Sequence, residues 1–557
     1  MKKNIFKIIA MGALATIMMA TTVGCNGGGV GGKPVVDDNG GDPNDTRTAM
    51  YISMFEGGYG RAWLDRIVNE YNAAHPENSY KISVLASKDE FETIQSRVLS
   101  GTLGCDMFIT NLWIHKLISA NAVEDISSVW ESDPDNNGST IESIMYNAND
   151  YKVAYGDGKG GLYALPLQES LQGFVYDHDL FLTYRLLFNE DGNFISSPTE
   201  TLSKGKDGVA GTYDDGHPET EAQWKLMCDK AKAMFGYAIT YSGKFQVYLN
   251  NLFYQIYAQV DGVEAFSMNY KFDGTYDFDG DGPEAATTID MTNGYLLPNM
   301  RGSKKALEFM DTYTAAKDAT LGVTANYIDP RAGNLGYSHT DAQNDFLIDN
   351  ATGASKKSAM LWEGDWWEAE AKTTFDALVE ENEDYEFRTR NYKFMTLPRF
   401  DNQVAKGNVY NISDNMYVSV VKQTDDTKRN ICLDFLKWMH KDEYIQDFTV
   451  QGGGLRPFDV ELTTEQKAKL SSFTQNYLEI YKDKTNNEFI NFNLACNIYP
   501  QKKCEGFAAP IMASSSNYTI NSYLYYKSAA ETTQDLLSYH KSRWSSGLIS
   551  YNNYINK

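Results

Sequence analysis

The sequence has little of what most catalytic centres are built from. Its seven histidines are scattered with no HExxH or other ligand spacing, which excludes the usual zinc arrangements. There is no GxxxxGK(S/T) loop to cradle a nucleotide phosphate and no GxSxG elbow to present a nucleophilic serine. Cysteine is scarce, six in 557 residues, and no CxxC pair occurs. Positive charge is also short: 50 Lys and Arg against 74 Asp and Glu give a formal charge of −24. A chain so acidic is repelled by nucleic acid and by anionic lipid surfaces, so neither is expected as a partner. After residue 23 no segment is long and apolar enough to span a bilayer.

The one long apolar run is at the start. Lys2, Lys3 and Lys7 precede an uncharged stretch from Ile8 to Val23, and Thr22-Val23-Gly24-Cys25 puts small residues before a cysteine. That is the pattern of an export signal, too short for a transmembrane helix and without a stop-transfer flank. Its end resembles the lipobox of bacterial lipoproteins, with Thr22 where Leu is usual, and the resemblance makes Cys25 the lipid-modified mature N-terminus and the only membrane contact. Residues 26–47 are rich in Gly, Asp, Asn and Pro and read as a flexible tether. Removing the 24 signal residues leaves 533, too many for one core, so two or more lobes are expected. Of the other cysteines, only Cys496 and Cys504 are close enough in sequence for a loop disulfide in an oxidising exterior. Cys105, Cys228 and Cys432 read as buried thiols.

The folded part opens with a strand at 50–55, a loop at Glu56-Gly57-Gly58-Tyr59-Gly60, and a helix in which Trp63, Leu64, Ile67, Val68 and Tyr71 repeat at helical spacing. Pro76 ends it, and Tyr80 to Leu85 alternates as a second strand. The pattern recurs in a helix at 90–99, an apolar strand at 106–110, and a loop, Asn111-Leu112-Trp113, that opens another helix. These β-α-β units predict an α/β fold with a largely parallel sheet, whose ligands sit at the carboxyl ends of strands. The loops at 56–60 and 111–113 are the first places for a site.

Several further pieces carry a resemblance. Cys105-Asp106-Met107-Phe108-Ile109 resembles a "PDI" strand. Tyr163-Ala164-Leu165-Pro166-Leu167 with Gly173-Phe174-Val175-Tyr176-Asp177 resembles a "YGLP…g..YN" crossing, and Ala359 to Trp366 an "aM…G.W" strand and loop. Leu397-Pro398 and the stretch from Asn430 to His440 followed by Gly452 to Pro457 complete the order. Taken together with Phe55 to Trp63, the chain resembles the family 1 extracellular solute-binding proteins of ATP-binding-cassette importers, the maltose-binding-protein group, over nearly all of its mature length. The resemblance implies a type II two-lobe periplasmic-binding-protein-like fold with a ligand cleft between discontinuous lobes, 49–170 with 405–458 and 175–400 with 462–557. The excess length over the family falls at 185–225 and 265–300, which read as insertions in the second lobe.

A sugar presents apolar C–H faces and a rim of hydroxyls, so its site needs aromatic plates together with carboxylate, amide and Arg groups. On that chemistry the candidates are Glu56, Tyr59, Asn111 and Trp113 from the first lobe, Gln168 and Glu169 from the crossing, and Asn250, Tyr254, Asp365 and Trp366 from the second lobe. Trp366 falls on the family's stacking tryptophan, whereas Trp367 reads as core. Arg456, after three glycines at a crossing, either clamps backbone carbonyls or touches ligand. The run Asp277, Asp279, Asp281 with Gly282 has the start of a calcium loop, but Thr288 stands at position 12, so calcium there is at most structural; the turn at 207–216 is a looser version. The alternative is a pair of solvated turns. Glu363 and Asp365 lie two apart and are too close in sequence for a glycosidase pair, whose carboxyls sit on separate strands; no enzyme is expected. The expected function is capture of a carbohydrate, an oligosaccharide in particular, by a monomer that hands it to a membrane permease. A polyamine or another small polar solute is the alternative ligand, and a surface sensor or adhesin the alternative role.

Overall fold

Strand β1 (Thr48–Phe55) is followed by the helix Ala62–Ala74, and that helix buries Trp63, Leu64, Ile67, Val68 and Tyr71, one stripe at i, i+3/i+4 spacing. The computed structural model describes residues 44–87, 91–280, 282–317, 327–499 and 524–555. The stripe packs under β1 and β2 (Tyr80–Ser87), which pair in parallel, and β3 (Met107–Thr110) joins β1 in parallel on its other edge. These are the β-α-β units expected from the sequence.

The strands that follow are of another kind. β4 (Leu165–Asp177) and β10 (Asn408–Val420) are each 13 residues long and lie antiparallel to each other at the centre of the sheet. The start of β4 carries Leu165 and Leu167 into one core; its end carries Phe174 and Tyr176 into another. β10 runs the opposite way, pairing with β3 at its end and with β11 (Asn487–Ile490) at its start. β8 (Lys357–Gly364) and β9 (Tyr392–Met395) add to β4 in antiparallel fashion, and β5 (Gly236–Thr240) closes the edge in parallel with β8. The sheet order is therefore β2-β1-β3-β10-β4-β8-β5, with β11 on β10 and β9 on β4. The expectation of a largely parallel sheet needs correcting: the sheet is mixed. β1–β3 and β5/β8 keep the parallel pairing of β-α-β units, while β4 runs from the first core to the second and β10 runs back.

Two apolar cores flank this crossing. One gathers residues from 50–167 with 416–458 and Leu494, and the other residues from 174–409 with 490–544. A third cluster lies beneath the crossing, with Leu171, Val175, Trp367, Tyr392, Tyr410, Ile412, Leu455, Tyr477 and Tyr481 among its members. In the segment 265–300, β6 (Gly274–Tyr276) and β7 (Thr287–Ile289) form a separate hairpin. The C-terminal helix Ala529–Ile555 covers that region, with Trp544 edge-on to Phe272 at 5.1 Å. Among the described residues no helix is long and apolar enough to cross a membrane.

Candidate functional site

The loop after β1 and the loop after β8 meet at the crossing. Tyr59 donates its phenol hydrogen to Asp365 Oδ1 at 2.7 Å, and its hydroxyl lies 3.0 Å from Ser170 Oγ on β4. The Asp365 amide in turn bonds the Leu171 carbonyl at 3.0 Å. Two glycines permit this approach. A Cβ on Gly58 would stand 2.8 Å from Trp366 Cβ, and one on Gly364 would stand 2.3 Å from the Trp366 ring. The indole therefore lies over Gly364 and against Gly58, so residues of the first loop and of the β8 loop are in contact.

Around the indole the second core supplies further rings and polar groups. Tyr248 stands edge-on to Trp366 at 5.8 Å and stacks on Phe245 at 6.1 Å. His339 Nε2 lies 3.1 Å from Glu370 Oε1, and Gln343 donates to Glu370 Oε2 at 2.7 Å. Glu363, at the end of β8, accepts from the Gly364 amide at 3.0 Å. Where β4 and β10 cross, amides link the elements: Asn251 donates to Gln172 Oε1 at 2.6 Å, and Asn411 donates to Asn251 Oδ1 at 2.6 Å. Asn111, after β3, donates to Asp414 Oδ1 at 2.9 Å. The β4/β10 register breaks between Ile412 and Asp414 and again between Met416 and Tyr417, and these irregularities turn Ser413 Oγ to the Ser170 carbonyl at 3.0 Å.

The carboxyls here are held toward the neutral form. Burial pushes Asp365 well above the usual carboxylate range, with the Tyr59 hydrogen bond opposing it. Burial likewise raises Asp414, against the bond from Asn111. Glu363 is pushed up to about 7 by burial and then by the nearby Glu370. Burial alone would lower His339, but the Glu370 carboxylate outweighs it and the imidazole titrates above its ordinary value. The arrangement is a set of acids shifted upward by burial, together with amides and rings, suited to hydrogen-bonding a polar ligand.

This geometry, two α/β halves joined by long crossing strands with polar loops meeting between them, agrees with the comparison to known families: the model of the bacterial extracellular solute-binding proteins matches residues 57–446. The chain belongs to that family. It is a two-lobe solute-binding protein of the type that serves ATP-binding-cassette importers. Solved structures with the same fold include a chitin oligosaccharide binding protein, with 13% identity, coverage of 90% of this chain and 99% of that one, and a TM-score of 0.51. RafE from Streptococcus pneumoniae, in its apo form, has 14% identity, coverage of 90% and 100%, and a TM-score of 0.52. RafE in complex with raffinose gives 13%, 89% and 100%, and 0.50. A probable secreted solute-binding lipoprotein from Streptomyces coelicolor gives 12%, 89% and 100%, and 0.52. No curated protein is a significant sequence match.

In this solute-binding protein the sequence candidates are distributed unevenly. Tyr59, Asp365 and Trp366 come together, and Asn111 joins the crossing through Asp414. Glu56 and Trp113 are exposed at the loops, the Trp113 side 38% accessible. Gln168 is buried on β4. Glu169 points elsewhere: its two oxygens accept from Tyr151 and Tyr481, each at 2.5 Å. Asn250 is buried and its Oδ1 has no hydrogen-bond partner among the described residues. Tyr254 is in the core, stacked on Phe492 at 4.8 Å. Trp367 is in the third cluster, edge-on to Tyr392 at 5.0 Å. Arg456 clamps backbone: Nε donates to the Leu167 carbonyl at 3.0 Å and Nη1 to the Met439 carbonyl at 3.3 Å.

The structure brings Tyr248, Asn251, His339 and Asp414 to the candidate site as well. Tyr248 and Asn251 flank Asn250 in the segment Tyr248-Leu249-Asn250-Asn251, where a helix begins, so helical phase could have found them. Asp414 was signalled by the polar run Asn411 to Asn415 between apolar flanks. Nothing local marks His339, which arrives from a helix N-terminus distant in sequence. In the candidate calcium loop, Asp277 accepts from the Gly280 and Gly282 amides, both at 2.8 Å, which commits both its oxygens to the turn; Asp279 is in the same turn, and Asp281 lies outside the described residues. Among the described residues no cluster of three or more His, Cys, Asp or Glu is placed to hold a metal. Cys25 and Cys504 also lie outside the described residues.

Proposed function

We propose that this solute-binding protein captures a neutral carbohydrate, an oligosaccharide, between its lobes and delivers it to the membrane permease of an ATP-driven importer. The observation that carries the reading is Trp366, a half-buried indole seated on Gly364, flanked by Tyr248, and bordered by amide and carboxyl groups from both halves. Rings of this kind match the C–H face of a pyranose, and the polar rim matches its hydroxyls. Relatives of the same fold named for chitin oligosaccharide and raffinose support the ligand class. A polyamine would call for ionised carboxylates, and burial holds Asp365, Asp414 and Glu363 toward neutrality, so the neutral ligand is favoured. Contacts made by both lobes favour the closed form, with bending at the crossings near 170, 403 and 459.

Calorimetric titration with maltodextrins, raffinose, chitin oligosaccharides and spermidine tests this. One of the sugars is expected to bind, and Trp366→Ala to weaken it by about 2 kcal/mol, roughly thirtyfold. Binding of spermidine alone, or full sugar affinity in Trp366→Ala, contradicts the reading. The tether and the lipid on Cys25 would hold the protein at the extracytoplasmic face, with a reach of roughly 25 Å for 22 flexible residues. Cys25→Ser should then release the protein from the membrane fraction with ligand affinity intact; retention would refute the anchor.

A further inference from the structure

Glu169, a ligand candidate from the sequence, is spent instead at the crossing itself. It lies in the middle of β4, 3% exposed, where its amide bonds the Leu455 carbonyl at 3.1 Å. Its two carboxyl oxygens accept from phenols that belong to different halves, Tyr151 at Oε1 and Tyr481 at Oε2, each at 2.5 Å. Tyr151 is on the helix Ala148–Tyr155 and in the first core. Tyr481 is on the helix Ser472–Lys482, which is tied to β9: Asn476 accepts from the Phe394 amide at 2.9 Å, and Phe473 stands edge-on to Phe394 at 4.9 Å. β9 in turn pairs with the end of β4 that enters the second core.

In its ionised form the carboxyl bridges the halves with a short, charge-assisted bond to each. Burial raises its titration point, and the two phenol bonds and then Lys484 oppose the rise. Lys484 holds its ammonium 3.8 Å over the Tyr481 ring and 3.8 Å over Phe489, so a positive charge stands beside the bridge. The two oxygens of a carboxylate are a fixed distance apart, and both hydroxyls are therefore reached at one spacing only. A rotation about the crossing that parts Tyr151 from Tyr481 leaves a buried carboxyl oxygen without its donor, which is costly.

We infer that Glu169 is a positioning residue for lobe closure: the Tyr151–Glu169–Tyr481 bridge holds the two halves at the angle in which the loop after β1 meets the loop after β8. Both its oxygens are given to the phenols, so it acts on a ligand through that angle and not by contact. The inference stands on these bonds and does not depend on which ligand the cleft takes.

The test is small-angle scattering of the unliganded mature protein and its variants. Tyr151→Phe and Tyr481→Phe each remove one phenol bond, and each is expected to raise the radius of gyration above the wild-type value. Because either loss breaks the whole bridge, the double variant is expected to rise no further than the single ones, whereas two independent local losses would add. Tyr410→Phe is the control: its hydroxyl is buried in the same third cluster as Tyr481 and has no hydrogen-bond partner among the described residues, so the radius should stay at the wild-type value. If a phenylalanine variant of the bridge does not fold, Glu169→Gln, which keeps the size of the side chain and gives up one acceptor oxygen, takes its place with the same expected rise. An unchanged radius in either single variant, additive rises in the double, or an equal rise in Tyr410→Phe overturns the inference.

Discussion

Single acids at the end of β8 and in the short helix after it are governed by how little water reaches them. Glu363 and Glu368 are both buried and both held at about 7, Glu363 by burial and the neighbouring Glu370, Glu368 by burial against its bond from Ser471. Their folded-state values lie above the ordinary value of 4.5, so the native chain keeps protons that the unfolded chain has released. Their contribution to stability is complete below about pH 4.5 and is lost as pH rises through about 7, at up to about 1.4 kcal/mol per unit for each group. Denaturant midpoints should therefore fall between pH 5 and pH 8, and the double variant Glu363→Gln with Glu368→Gln should flatten that fall; an unaltered slope would show the two acids titrating normally. The sequence offered Trp366 only through the resemblance to the family's stacking tryptophan, and the structure places that ring over Gly364. It could not tell that Glu169 would be consumed by Tyr151 and Tyr481, since those tyrosines come from positions 18 residues before and 312 after it. Nor could it decide between the two readings of Arg456, which rest on where the Leu167 and Met439 carbonyls fall.

Elements were legible where their physics is local. The helix Ala62–Ala74 and strands β1 to β3 follow from spacing of apolar residues alone. β4 and β10 were not legible as antiparallel partners, because a strand buried along its whole length shows no period-2 pattern and its partner lies more than 200 residues away. What these crossing strands accomplish is to place Ser170 beside Tyr59 and Asp365, a contact joining the loop after β1 to the loop after β8. Tyr59→Phe removes the only donor to Asp365 Oδ1 in that group of side chains. Losing a hydrogen bond to a buried carboxyl costs about 1–3 kcal/mol. The loss falls on the arrangement in which the two loops touch, so ligand affinity should drop about 5- to 150-fold. Unchanged affinity in a calorimetric titration would mean the contact does not belong to the ligand-bound form.

At the scale of the molecule, two cores share one sheet through β4 and β10, and the family match over residues 57–446 takes in residues of both cores. Composition bore on this level only as expectation: −24 of formal charge and the lack of the common catalytic motifs argued against some partners and chemistries without choosing a ligand. The proposed choice rests on Trp366 and on the acids around it that burial shifts upward, and its consequence is mechanical. A ligand held by both halves must draw them together. Small-angle scattering of the mature protein, with and without the best-binding oligosaccharide, measures that directly. The account predicts a smaller radius of gyration in the wild type at saturating sugar and no change in Trp366→Ala at the same concentration. Compaction with spermidine but with none of the sugars, or sugar-driven compaction that survives loss of the indole, would contradict it.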